Sequence, residues 1–233
     1  LIDIKVLATG STGNCYRVTD GSTPLLLECG IRYKSIQQAL NFRVSEIKGC
    51  LVTHEHKDHC AGVTEVMKRG IPVYMSQGTA EAIETDIYHP RIVRAKEQFT
   101  IGTWTILPFD VQHDVSEPMG YLMMNQAGEK LLFATDTYYI KYKFKGLTHL
   151  MVECNYSMDI LNENIESGRV HKAMKNRLIR SHFSLENMKE FLHANDLSNL
   201  QSVHLLHLSD SNSNEKLFKE EVQKITGTIV HVA

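Results

Sequence analysis

The stretch Leu51-Val52-Thr53-His54-Glu55-His56-Lys57-Asp58-His59-Cys60-Ala61-Gly62 places three histidines and an aspartate within six positions. An apolar run over 49–52 leads in, and an amphipathic run over 61–68 leads out. Residues two apart on an extended chain face the same side, so His54 and His56 can offer their rings to one metal ion. The chain must then turn into the following helix, which redirects Asp58 and His59 toward a second ion. Imidazole suits zinc and other first-row metals, and carboxylate also accepts harder ions such as manganese. The rival zinc pattern, His-Glu-x-x-His on a helix, fails because position 58 is Asp where the second histidine would stand. The block therefore asks for a buried strand that ends in a loop and passes at once into a helix.

Other elements alternate in the same manner. Residues 2–8 read as a strand, and Thr9-Gly10-Ser11-Thr12-Gly13-Asn14 as a loop whose glycines let backbone N–H groups approach a ligand. Residues 15–19 and 25–28 pair as strands around Asp20-Gly21-Ser22. A short helix is expected at 33–40, a buried strand at 49–53, a helix at 61–69 ending at Gly70, a strand at 72–75 and a helix at 77–85. Strands at 98–101 and 103–109 turn at Gly102, and strands at 120–124 and 130–134 form a hairpin turned at Gln126-Ala127-Gly128. A strand at 149–153 precedes helices near 157–165, 168–178 and 184–194, then a strand at 202–207, a helix at 214–225 and a strand at 228–232. With no long linker, low-complexity tract or repeat, residues 1–233 read as a single domain.

Composition narrows the class. At 233 residues the chain can bury a substantial core, and 42% hydrophobic with 22% charged residues is ordinary for a soluble globular protein. No apolar run approaches the roughly 20 residues of a membrane helix. The opening Leu-Ile-Asp-Ile-Lys-Val reads as a strand, not a signal peptide. Five cysteines, an odd number without a Cys-x-x-Cys pair, argue against a disulfide framework or a zinc ribbon and for reduced thiols in a cytoplasmic protein. A net charge of −2 does not advertise a nucleic-acid binder, although it leaves room for a local basic patch.

Further polar residues stand where apolar strands end. His113 follows the strand ending at Phe109, Asp136 follows Leu131-Leu132-Phe133-Ala134, and His207 ends Val203-His204-Leu205-Leu206. Loops on a rigid scaffold are where functional groups concentrate. His204 competes with His207, but His207 lies at the strand's end.

The His-x-His-x-Asp-His block and the order of these residues resemble the metallo-β-lactamase superfamily. The resemblance implies an α/β (α+β) fold, a four-layer αββα sandwich with the metals on loops at one edge. It implies two divalent ions, zinc or manganese, with His54, His56 and His113 at one, Asp58, His59 and His207 at the other, and Asp136 bridging. Glu28, in Leu26-Leu27-Glu28-Cys29-Gly30, stands where the superfamily usually has Asp, and is expected to orient the metal loop by hydrogen bonds.

Fold and metals do not fix the substrate. The segments 10–14, 152–156, 181–184 and 207–212 resemble the YycJ/WalJ-like exonuclease branch, over residues 4–212. The third reads Ser181-His182-Phe183-Ser184, where that branch usually has Gly-His-Leu-Ser. That resemblance implies a phosphodiesterase acting on nucleic acid, DNA before RNA, with Ser11, Thr12, Asn14, Asn155, His182 and Ser209 at the substrate. Arg169, Lys172, Lys175, Arg177 and Arg180 make a basic stripe leading to His182 that suits phosphates. Lys141, Lys143 and Lys145 read as a solvated run. Two ions would make hydroxide available at neutral pH. Asp58 or Asp136 would orient it, and His182 would protonate the leaving group or bind a phosphate. The alternatives are a hydrolase of a cyclic nucleotide, other small phosphodiester, thioester or lactone, and a non-catalytic binding protein. The sequence leaves oligomeric state open.

Overall fold

A computed structural model of the chain describes residues 1–83 and 89–233. Along it run β1 (Asp3–Ala8), β2 (Cys15–Thr19), β3 (Leu25–Leu27), α1 (Tyr33–Ala39), β4 (Cys50–Leu51), α2 (Lys57–Cys60), α3 (Val63–Lys68), β5 (Val73–Met75), α4 (Gln77–Ile83), β6 (Arg91–Ile92), β7 (Phe99–Ile101), β8 (Trp104–Asp110) and β9 (Met119–Met124). There follow β10 (Lys130–Ala134), β11 (His149–Glu153), α5 (Met158–Glu166), α6 (Lys172–Ser181), α7 (Leu185–Ala194), β12 (Ser202–Leu206), α8 (Glu215–Thr226) and β13 (Ile229–Val232). The chain divides into two compact units, Leu1–Asp110 with Val115–Glu129, and Val111–Asp114 with Lys130–Ala233.

In the first unit a six-stranded sheet runs in the order β1-β2-β3-β4-β5-β6. β2 is antiparallel to β1 and β3, and β3 to β6 are parallel. Asp20 sets the β2–β3 turn by accepting from the Ser22 and Thr23 amides at 3.0 and 2.9 Å. Parallel neighbours require crossovers, which the intervening helices supply. Ile36, Val63, Val66 and Met67 of α1 and α3 bury in one core with Leu26, Cys50, Val73 and Met75 of the strands. β7, β8 and β9 form an antiparallel ribbon in the same unit. It is tied to the β2–β3 turn region where Trp104 Nε1 donates to the Thr23 carbonyl at 2.9 Å.

The helix expected at 61–69 is α3, Val63–Lys68, and a separate turn of helix, α2, precedes it at Lys57–Cys60. The break falls at Gly62, whose N–H donates to the Cys29 carbonyl at 2.8 Å. Its helical partner four residues back, the Asp58 carbonyl, accepts instead from Asn14 N–H at 2.6 Å. The strand expected at 49–53 has ladder pairs only at Cys50 and Leu51, and Val52 continues extended with its N–H on the Tyr74 carbonyl at 3.0 Å. β6 was not foreseen. Positions 84 and 85 of the helix expected at 77–85 lie outside the described residues.

The second unit holds four parallel strands, β10-β11-β12-β13, with Leu132, Leu150, Val203 and Val230 in register. α8 packs on β13 and α7, burying Phe218 and Val222, which lie four apart on one face. Asn214 caps its start by accepting from Leu217 N–H, and Gly227, at φ 63°, ends it in the left-handed region. The helix expected at 168–178 begins only at Lys172. Gly168, at φ 75°, lies just past the end of α5, and the His171 side chain caps α6 by accepting from Ala173 N–H at 3.2 Å. Ser184 caps α7, accepting from Asn187 N–H at 3.1 Å. Among the described residues no helix is long and apolar enough to cross a membrane.

Candidate metal centre

Groups that act on ligands gather beyond the carboxyl ends of parallel strands, and each unit obeys this. In the first, Glu28 leaves β3 at φ 62° and is fully buried. Both of its carboxylate oxygens accept from Thr53 N–H at 3.3 Å. The Thr53 carbonyl accepts from Met119 N–H at 3.1 Å, and its hydroxyl lies 2.8 Å from His54 Nδ1. The Tyr121 hydroxyl donates to the Val52 carbonyl at 2.6 Å. The residues just before the histidines are thus held on several sides. The His54 ring centroid lies 4.8 Å from that of His56 and 4.2 Å from that of His59. His59 Nε2 is 3.4 Å from Asp58 Oδ2, and its Nδ1 is 3.7 Å from Glu28 Oε1. His54 and His59 are buried, while His56 and part of Asp58 face outward. Burial pushes the Glu28 carboxyl above its usual range, against the pull of His59 and Thr53.

In the second unit Asp136 follows β10, Glu153 ends β11 and His207 follows β12. These strands are parallel neighbours in register, so their ends meet. His207 Nδ1 lies 2.8 Å from Asp136 Oδ1 and 3.3 Å from Glu153 Oε1. His182 Nδ1 lies 2.6 Å from the same Glu153 oxygen. Glu153 Oε2 accepts from the Thr137 and Phe183 amides, each at 3.2 Å. One ligand atom from each of Asp136, Glu153, His182 and His207 falls within 4.8 Å of the others. His113 is in this unit too, its ring centroid 6.2 Å from that of His182. Asp136 and His207 take φ of 47° and 54°, so with Glu28 three strand exits are left-handed at residues other than glycine. Such strain gathers at working sites.

Two buried carboxylates side by side need positive charge. Burial by itself lowers the His207 pKa, but Asp136 and Glu153 raise it to about 10. His182 is likewise lowered by burial and raised, in net, by Glu153. Burial raises Glu153 while the His182 charge pulls it below the usual carboxylate range. Imidazoles and carboxylates on rigid strand ends are a donor set that fits divalent zinc or manganese. In the first unit His54, His56, Asp58 and His59 offer the same chemistry.

The remaining expected residues divide. Ser11 and Thr12 are exposed, on the glycine loop. Asn14 is buried, and its amide spends itself on protein. Oδ1 accepts from Gly10 N–H at 3.0 Å, and Nδ2 lies 3.2 Å from the Asp58 carbonyl and from His59 Nε2. Asn155 Nδ2 donates to the His207 carbonyl at 2.7 Å, and the Asn155 carbonyl accepts from Ser209 N–H at 2.8 Å. Asn155 Oδ1 is buried with no hydrogen-bond partner among the described residues. Ser209 Oγ accepts from Asn212 N–H at 3.3 Å. Asn14 and Asn155 therefore brace the loops that carry His59 and His207. His204 sits inside β12, stacked on His231 with ring centroids 4.6 Å apart. Sequence reasoning missed Glu153.

Strand-end histidines and carboxylates on an α/β scaffold define a metal-dependent hydrolase. The family described as "Beta-lactamase superfamily domain" matches residues 25–205, and the chain belongs to this metallo-β-lactamase superfamily. The chain is 28% identical to "Exodeoxyribonuclease YycJ" of Bacillus anthracis, over 96% of this chain and 89% of that one. It is 27% identical to "Exodeoxyribonuclease WalJ" of Streptococcus pneumoniae, strain D39, over 91% and 84%. Among solved structures, the metallo-β-lactamase fold protein YhfI from Bacillus subtilis superposes with a TM-score of 0.73 at 14% identity, covering 100% of this chain and 97% of that one. The α/β metallo-β-lactamase fold expected from the motif is the fold of this chain.

Proposed function

We propose that this hydrolase is a dinuclear phosphodiesterase that removes nucleotides from the ends of DNA. The observation that carries the reading is His182 held on Glu153 within the Asp136–Glu153–His182–His207 cluster. The names of the YycJ and WalJ relatives support DNA as the polymer. In this reading His54, His56 and His113 would hold one divalent ion and Asp58, His59 and His207 the other, with Asp136 available to either; zinc and manganese each suit the donors. When bound, such ions activate water near neutral pH and neutralise charge on a phosphoryl group.

The chain's own residues do the rest. His182 gives its Nδ1 proton to the Glu153 hydrogen bond, so Nε2 is the atom that holds a proton for the departing oxygen. Asp58, whose side chain is 24% exposed, orients the attacking water. α6 buries only Ser181 and ends directly at His182. Its exposed Lys172, Arg177 and Arg180, with Arg169 before it, meet the phosphate backbone. Ser11, Thr12 and Ser209 contact the substrate from their loops. Five buried free thiols fit a reducing compartment, and we place the protein in the cytoplasm. The family match runs through both units, which supports reading the chain as one domain.

The test is degradation of single-stranded and duplex DNA with manganese and with zinc, for the native protein beside Asp136→Ala. Nucleotide release that the variant lacks supports the reading. Inert DNA with bis-p-nitrophenyl phosphate still cleaved would replace it with a small-phosphodiester hydrolase.

A further inference from the structure

Asp136 is followed by Thr137-Tyr138-Tyr139-Ile140-Lys141-Tyr142-Lys143-Phe144-Lys145. The first three of these are fixed at the backbone. Thr137 N–H donates to Glu153 Oε2 at 3.2 Å and Tyr138 N–H to the Gln112 carbonyl at 3.0 Å. The Tyr138 carbonyl accepts from Asn187 Nδ2 at 2.8 Å. The Thr137 hydroxyl accepts from Gln112 N–H at 2.9 Å and Tyr139 N–H at 3.3 Å, and donates to the Tyr139 carbonyl at 3.0 Å, using its whole capacity. On this rigid backbone the Tyr138 and Tyr139 residues stay 37% and 54% exposed.

Beyond them burial alternates. Ile140 is buried and Tyr142 and Phe144 half-buried, with the Phe144 ring centroid 6.4 Å from that of Phe191. Lys141, Lys143 and Lys145 are exposed. The outward side of the segment thus reads two tyrosines, then three lysines, beginning two residues from Asp136. Holding two aromatic rings in water forgoes burial that would stabilise the fold. Aromatic rings beside a row of cations are what successive unpaired bases and their phosphates bind. By chain length alone the Tyr138 and Tyr139 Cα atoms lie within about 7 and 11 Å of that of Asp136.

We propose that residues 138–145 are a track for single-stranded nucleic acid. Tyr138 and Tyr139 stack bases beside the phosphate to be cut, and Lys141, Lys143 and Lys145 hold phosphates further along. This rests on the phosphodiesterase reading and names its substrate class, a strand with unpaired bases.

The experiment is fluorescence anisotropy of a labelled oligothymidylate against chelator-treated protein, with thermal melts to confirm folding. Tyr138→Ala and Tyr139→Ala should each weaken binding about 5- to 150-fold, and Tyr139→Phe should restore it. The loss should vanish on an oligonucleotide of abasic residues, which offers nothing to stack. Replacing the three lysines with alanine should reduce the slope of log affinity against log salt by about 2. A native protein that degrades DNA while both tyrosine variants bind it equally well overturns the track alone. A native protein that neither binds nor degrades nucleic acid overturns the phosphodiesterase-on-DNA reading and the track with it.

Discussion

Glu153 meets His182 and His207 with one oxygen and two backbone amides with the other, all without exposure to water. Its charge, not its shape, is what raises the His182 pKa, so Glu153→Gln separates the two. The variant keeps the volume and should lower the His182 pKa, read from the ring proton shifts of metal-free protein by NMR. Hydrolysis by the metal-loaded variant should fall about 10- to 100-fold, as when a ligand's supporting partner is removed. An unmoved His182 titration would refute the assignment. The residue was legible in principle. An apolar strand ending in a polar side chain singled out Asp136 and His207, and His149-Leu150-Met151-Val152-Glu153 ends the same way. What no single segment carries is the pairing of Glu153 with His182, 29 positions on. Asn14 and Asn155 show the converse limit. A polar side chain near a functional loop reads as a substrate contact until its burial and partners reveal a brace.

The strands that deliver the centre were legible as apolar runs, because burial on both faces leaves that mark. The turns between elements were less so. Gly62 breaks α2 from α3 because the Cys29 carbonyl stands where a helical partner would be, a tertiary fact. β6, with two residues, is too short for any periodicity to register. Gly168 ends a helix where the spacing suggested a start. Gly30 is the sharpest case. A Cβ there would overlap the Asp58 carbonyl, which is backbone and cannot swing aside. Gly30→Ala should therefore displace the Asp58–His59 turn. Overpacking of this kind costs about 1–3 kcal/mol, occasionally more. The expected result is a lower melting temperature together with reduced bound metal by elemental analysis. Full metal content with an unchanged melt would show that the turn can yield.

Across the whole molecule, stability should depend on acid through a residue outside the proposed ligand set. Burial first, then the charges of His231 and His149, lower the His204 pKa from 6.5 to about 4. The unfolded chain then binds a proton that the folded one refuses, so the contribution is complete above about pH 6.5 and shrinks as pH falls toward 4. Urea midpoints of chelator-treated protein should drop between pH 7 and pH 4.5, and drop less in His204→Phe, which keeps a ring beside His231. Parallel pH dependences in the two proteins would exclude His204 as a cause. The left-handed exits at Glu28, Asp136 and His207 bear on how such a protein can change over generations. Glycine at any of them would ease a backbone strain of roughly 1–2 kcal/mol, yet would delete a side chain of the centre. A lineage that accepted glycine there would exchange the strain for unpaired buried partners and go silent as a catalyst. Selection for turnover must keep restoring the strain.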